Sequence, residues 1–195
     1  MTFDTIHHGA SRALVLAACI AVSASGRPAY AAESIEGCWI IESGQSVIEL
    51  SVDAGILSGR IVGLESAYYL ADEDGPEGAL RVDLKNDDPA LRSRPLAGME
   101  LVSNLTRRGE EWRGGEIYDP ESGNTYSVRL RIDDDGSLNI RGYVGTPLFG
   151  RTTRWTPAAS DPSTRPMIET ALPVMPQGAP PANCTVDDDA SEASA

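Results

Sequence analysis

The chain has 195 residues, a formal net charge of -13 at pH 7, and two histidines, His7 and His8. That length supports one domain with additions at its ends. The acidic sum argues against nucleic acid and against an anionic membrane surface as partners. Lys85, the single lysine, has no glycine-rich phosphate loop around it.

The N-terminus reads as an export leader. Arg12 is followed by an apolar run from Ala13 to Ala24, then by Gly26, Pro28 and the small-residue pattern Ala29-Tyr30-Ala31. This is the layout of a secretory signal over residues 1–31, with cleavage after Ala31 or Ala32. The run is too short to span a bilayer as a helix, so no stable membrane insertion is expected. Leu16-Ala17-Ala18-Cys19 offers a competing lipoprotein box, but it leaves a short apolar region after Arg12. The expected location is the periplasm. Losing the leader removes both histidines, which excludes Ser-His-Asp, Cys-His and His-ligated metal chemistry from the exported chain. No cofactor or metal site is expected. Cys38 and Cys184 remain. In an oxidising compartment they can pair, which would tie the tail to the first strand; the alternative is that both stay free.

In chain order, Gly37–Ser43 reads as a first strand and Val47–Asp53 as a second, with Ile48, Leu50 and Val52 on one face and Glu49, Ser51 and Asp53 on the other. Asp53-Ala54-Gly55 turns into a third strand from Ile56 to about Leu64, interrupted by Gly59 and Gly63 in a way that suggests bends or close backbone approach. From Glu65 to Ala97 the sequence predicts a long crossover. It holds an acidic loop at Asp72-Glu73-Asp74, a short extended piece at Leu80–Leu84, and a helical turn capped by Asp88 with Pro89 at its first position. A connection of that length inside a compact domain is usually functional or a cover.

Met99–Leu105 and Glu111–Tyr118 form the next hairpin, and Asp119-Pro120-Glu121-Ser122-Gly123 is a strong turn. In the sixth strand, Thr125–Asp133, Tyr126, Val128, Leu130 and Ile132 share a face. A three-residue loop at Asp134-Asp135-Gly136 pairs Ile132 with Leu138 and Leu130 with Ile140. The same register sets Arg129 against Arg141, a like-charge pair that calls for a nearby carboxylate or an anion. Gly145-Thr146-Pro147 leads into an eighth strand, Leu148–Thr156. After Pro157 the chain turns to proline and small polar residues with Asp187-Asp188-Asp189, and residues 158–195 are expected to be mostly a disordered tail.

Eight strands joined mostly by hairpins imply an all-β, antiparallel up-and-down barrel over residues 36–157, because closure removes exposed edges and eight strands close around a packed or ligand-sized interior. A two-sheet sandwich is the alternative. The residues also carry a family resemblance: Gly37 and Trp39; Asn86, Pro89, Leu91, Arg92, Arg94, Pro95, Leu96 and Gly98; Trp112, Gly115, Ile117, Tyr118, Asp119, Pro120, Gly123 and Tyr126; then Leu138, Arg141, Gly142, Gly145, Leu148, Gly150 and Trp155. With these, the chain resembles the DUF2147 family, a domain of unknown function in bacterial exported proteins. The resemblance implies a lipocalin-like barrel in the periplasm. It brings neither a catalytic residue nor an established ligand. Many relatives have cysteines where this chain has Ser58, Tyr143 and Phe149.

The functional expectation is a non-enzymatic monomer that binds a small amphipathic ligand. Arg92 and Arg94, in the crossover that should close one barrel end, could grip an anionic head group; the competing role is an ion pair with Asp83, Asp87 or Asp119. Trp112, Tyr118, Tyr126 and Trp155 could line a pocket or fill the core. Asn86 is expected to shape the crossover backbone. The strand register turns Glu116 outward. A filled barrel acting as a structural or interaction protein of the envelope is the alternative function.

Overall fold

The computed structural model describes residues 34–176 and 181–184; the expected leader at 1–31 lies outside them. Eight antiparallel strands close into a barrel in chain order: β1 Gly37–Ile40, β2 Ser46–Asp53, β3 Ile56–Leu64, β4 Glu100–Arg108, β5 Glu111–Asp119, β6 Asn124–Ile132, β7 Leu138–Tyr143 and β8 Arg151–Pro157. Trp39 opposite Pro157 and Ile40 opposite Thr156 close the ring between β1 and β8. The barrel, rather than the sandwich, is therefore the topology.

Strand alternation works as the side-chain pattern requires. Ile132 faces Leu138, Leu130 faces Ile140, and Ile117 faces Tyr126, so the apolar sides of neighbouring strands coincide and Glu116 is exposed. Ile48, Leu50, Leu57, Val102, Leu105, Val128, Leu130 and Leu138 are completely buried and fill the middle of the barrel. Two glycines in the wall answer to close packing. A Cβ at Gly115 would overlap the Ser103 carbonyl oxygen on β4, and one at Gly63 would stand 2.9 Å from Val47 and 3.3 Å from the Ile168 nitrogen.

The meander gives the barrel two unlike ends. The hairpins β2–β3, β4–β5 and β6–β7 meet at one, together with Ser34–Glu36. The crossover 65–99 lies at the other, where a 3-10 turn, Pro89–Leu91, begins as expected with the Asp88 side chain accepting from the Ala90 N–H. The extended piece of the crossover pairs Tyr68 with Leu80 and Val82 with Pro95.

The expectation of disorder beyond Pro157 is overturned for residues 158–176. Helix α1, Thr164–Ala171, packs on the outside of β2 and β3 with Thr164, Met167, Ile168 and Ala171 buried. Those positions fall at i, i+3, i+4 and i+7, one helical stripe. Prolines and small residues obscure the stripe in composition. A helix of two turns is marginal alone; here it covers Val47 and Val62, apolar residues on the outer face of the wall, in a second core with Ile40, Ala158 and Met167.

Residues 181–184 continue the cover. Glu49 is buried on the outer face of β2, accepting from the Ala182 and Asn183 N–H groups at 2.7 and 3.0 Å and from the Arg60 guanidinium at 2.9 and 3.0 Å. All its buried lone pairs thus have partners, as a buried carboxylate requires. Cys38 on β1 is disulfide-bonded to Cys184 across a sequence separation of 146.

Candidate functional site

The residues expected to bind ligand divide among three places. Asn86, Arg94 and Tyr118 converge on one carboxylate, Asp83, which is fully buried. The Tyr118 hydroxyl donates to Asp83 at 2.6 Å, the Asn86 amide at 2.7 Å, and Arg94 at 2.7 Å. The Asn86 amide also reaches the Tyr118 oxygen at 3.1 Å, and its carbonyl accepts from the Asp88 N–H at 2.9 Å. Arg92 donates to the Asn86 backbone carbonyl at 2.7 Å. Burial, then the hydrogen bond to Asp83, pushes the Tyr118 phenol up to about 12, so it stays a neutral donor. Arg94 is therefore the ion partner of Asp83, the competing role expected for it, and its Nε is buried with no hydrogen-bond partner among the described residues. The cluster pins the crossover to the outside of β5, since Tyr118 lies two residues from outward Glu116 on the same face.

Trp155 is buried in the main core opposite Leu138, and Tyr126 is half-buried in the wall opposite Ile117. Trp112 alone of the expected residues borders the large cavity.

That cavity is an open cup of about 1070 Å³ at the hairpin end. Val52 and Gly55 come from the first hairpin, Arg107, Glu110 and Trp112 from the second, Ile132, Asp133, Asp134 and Gly136 from the third, and Ser34, Ile35 and Glu36 from the approach to β1. Its apolar wall is Ile35, Val52, Trp112 and Ile132; its rim carries Glu36, Glu110, Asp133 and Asp134 against Arg107. Part of that charge is already engaged. Glu36 accepts from the Val52 N–H at 3.1 Å, and Asp133 pairs with Arg131 at 2.7 Å. A smaller hollow of about 210 Å³ lies against the crossover cluster, bordered by Arg94, Glu100, Leu101, Ser103, Glu116, Tyr118 and Thr125.

The cup lies at the opposite end of the barrel from the crossover and its Arg92 and Arg94. Its members are short groups at strand ends and turns, drawn from four separate stretches of the chain, and none forms a motif. Hairpin parity could have found them: in a meander every second turn falls at the same end.

Among the described residues no group of three or more His, Cys, Asp or Glu side chains is placed to hold a metal ion.

The family model for uncharacterized proteins conserved in bacteria, DUF2147, matches residues 37–157, the whole barrel. The chain belongs to this family. A solved structure from Helicobacter pylori, protein HP1028, described as belonging to the lipocalin family, matches with a TM-score of 0.55 and 21% sequence identity over 73% of this chain and 99% of that one. At that identity the likeness shows the fold, which is lipocalin-like. No functionally curated protein matches the chain. In this DUF2147 member the matched span ends at Pro157, so α1 and the Cys184 anchor lie beyond the segment that defines the family.

Proposed function

We propose that this protein is an exported, non-enzymatic binding protein that holds a small amphipathic molecule in the cup at the hairpin end of its barrel. The observation that carries this is the cup itself: an apolar inner wall of Ile35, Val52, Trp112 and Ile132 beneath a rim with more carboxylates than cations. Ligand sites are concave and mostly apolar, with a few placed polar groups. The rim sign favours a polar end that is cationic. This departs from the anionic head group expected at Arg92 or Arg94: Arg94 is paired with Asp83, and Arg92 donates its Nε to the Asn86 carbonyl.

The test is a fluorescence titration of the full chain with a medium-chain alkylamine and with the carboxylate of the same chain length. The amine should perturb Trp112 emission saturably, and a Trp112→Phe variant should lose the change. An equal response to the carboxylate, or no response to either, would overturn the reading. A second reading, a structural protein of the envelope, has its own support in the fully buried Leu50, Leu57, Leu105, Leu130 and Leu138 that seal the barrel's middle. Absence of any small molecule in native mass spectra of protein taken from the periplasm, together with a silent titration, would favour it.

A further inference from the structure

The outer wall of β5–β7 carries a row of arginines that the protein leaves largely uncompensated. Arg113 stands opposite Arg129, and Arg129 opposite Arg141, across two successive strand pairs. Like charges directly opposite each other are unfavourable. Among the described residues one carboxylate serves the row: Glu111 lies 3.9 Å from both Arg113 and Arg129. Arg129 is set over the Tyr143 ring at 5.9 Å, and its Nε is buried with no hydrogen-bond partner among the described residues. Nearer the hairpin end of the same wall the treatment differs. Arg131 pairs with Asp133 at 2.7 Å, and Arg154 pairs with Asp135 and stands 3.7 Å from Asp133.

Arg141 spends three of its five N–H hydrogens on its own loop and strand neighbour. Its Nε donates to the Pro147 carbonyl at 2.7 Å, one terminal nitrogen to the Leu148 carbonyl at 3.3 Å, and the other to Thr152 Oγ1 at 2.8 Å. These bonds hold the β7–β8 loop, where Thr146 caps a 3-10 turn, Pro147–Phe149. The loop in turn presents Val144, Leu148 and Phe149, which are 72%, 78% and 81% exposed. Single exposed apolar residues are ordinary; three in one braced loop, joined through Arg141 to a cationic row, form a two-part surface.

We propose that this surface, the Val144–Phe149 tip with the Arg113–Arg129–Arg141 row, docks the protein peripherally on an anionic phospholipid surface. The three apolar side chains of the tip stand mostly clear of the protein, which suits insertion among acyl chains. Guanidinium forks match phosphate oxygens. Weak apolar insertion and local basic charge together give the two signals that stable peripheral attachment needs. The net charge of -13 does not forbid this, since charges more than about 8 Å away are largely screened at physiological salt. The whole-chain sum hides the local sign of this wall.

The test is co-sedimentation of the full chain with vesicles of phosphatidylcholine alone and with added phosphatidylglycerol, at low and at physiological salt. Binding is expected only with phosphatidylglycerol and should weaken as salt rises. The variant Arg113→Gln, at an exposed side chain, should lower affinity about fivefold, and Arg113→Gln with Arg129→Gln about twenty-five-fold. Leu148→Ser with Phe149→Ser should abolish sedimentation while leaving the circular dichroism spectrum and melting temperature as in the parent. Equal binding to both vesicle types, or undiminished binding by the variants, would overturn the proposal. So would a concentration-dependent dimer that Leu148→Ser and Phe149→Ser disperse in a protein that does not sediment, because the tip would then serve a second copy of the chain.

Discussion

Replacing Asp83 with alanine is the most direct check on whether the crossover cluster is an anchor. The carboxylate is fully buried and accepts from Tyr118, Asn86 and Arg94, all within 2.7 Å. Removing one partner of a buried pair typically costs about 3–5 kcal/mol, because the other is left uncompensated. Here the Arg94 side chain is 38% exposed and regains part of its hydration, which lowers the expectation for Asp83→Ala to about 2–4 kcal/mol. Tyr118→Phe removes one charge-assisted bond and leaves Asp83 two donors, so it should cost about 1–2 kcal/mol. The two changes share a partner, so the double variant should lose less than their sum. Urea unfolding of oxidised protein, followed by circular dichroism, measures all three. A loss below about 1 kcal/mol for Asp83→Ala would refute the anchoring role and return Arg94 to the list of free binding groups.

Other expectations follow from the same geometry. Reducing Cys38–Cys184 releases a loop with a sequence separation of 146; chain entropy alone puts the effect near 5 kcal/mol, seen as a lower urea midpoint with reductant than without. Gly115→Ala drives a Cβ into the Ser103 carbonyl and should cost about 1–3 kcal/mol or more, read as a fall in melting temperature. The Asp135 carboxyl is held down to about 2 from an ordinary 3.8, first by the Ser137 hydroxyl and backbone and then by Arg154. A depressed carboxyl contributes stability that is present above its unfolded value and lost as pH falls through its folded one. That contribution should therefore fade between about pH 4 and pH 2, and Ser137→Ala should move the Asp135 midpoint upward in a carboxyl-detected NMR titration. The Tyr118 phenol is raised from 10 to about 12, so its contribution is complete below pH 10 and lost as pH climbs toward 12; an ultraviolet phenolate titration of wild type against Tyr118→Phe isolates it.

The barrel could be read from the chain because its determinants are local. Period-two alternation in β2 and β6 and the turn residues at Asp134-Asp135-Gly136 set strand identity and register within a few residues of each other, and the Ile132–Leu138 and Ile117–Tyr126 pairings follow from them. The capped turn at Asp88-Pro89 is equally local. Position relative to the barrel ends is another matter. Whether Trp112 borders a cup while Trp155 is buried depends on where each strand sits along the closed wall, and strand tilt and bulges decide that.

The tail shows the same division. Its composition is that of a segment unable to form a core by itself, and that remains true: α1 buries Met167 against Val47 and Val62 on the wall and brings the Ile168 backbone nitrogen up against Gly63. Only the closed barrel supplies that surface, together with the Glu49 carboxylate that receives Ala182 and Asn183. Likewise the residues Arg92, Arg94 and Asn86 are visible as polar groups in a crossover, but their role depends on Asp83 and Tyr118 meeting across a sequence separation of 35. Hydrogen-bond patterns between strands and turns are written in short windows of sequence. Which charge finds a partner, and which apolar face is covered, is decided by contacts between distant segments that exist only once the barrel has closed.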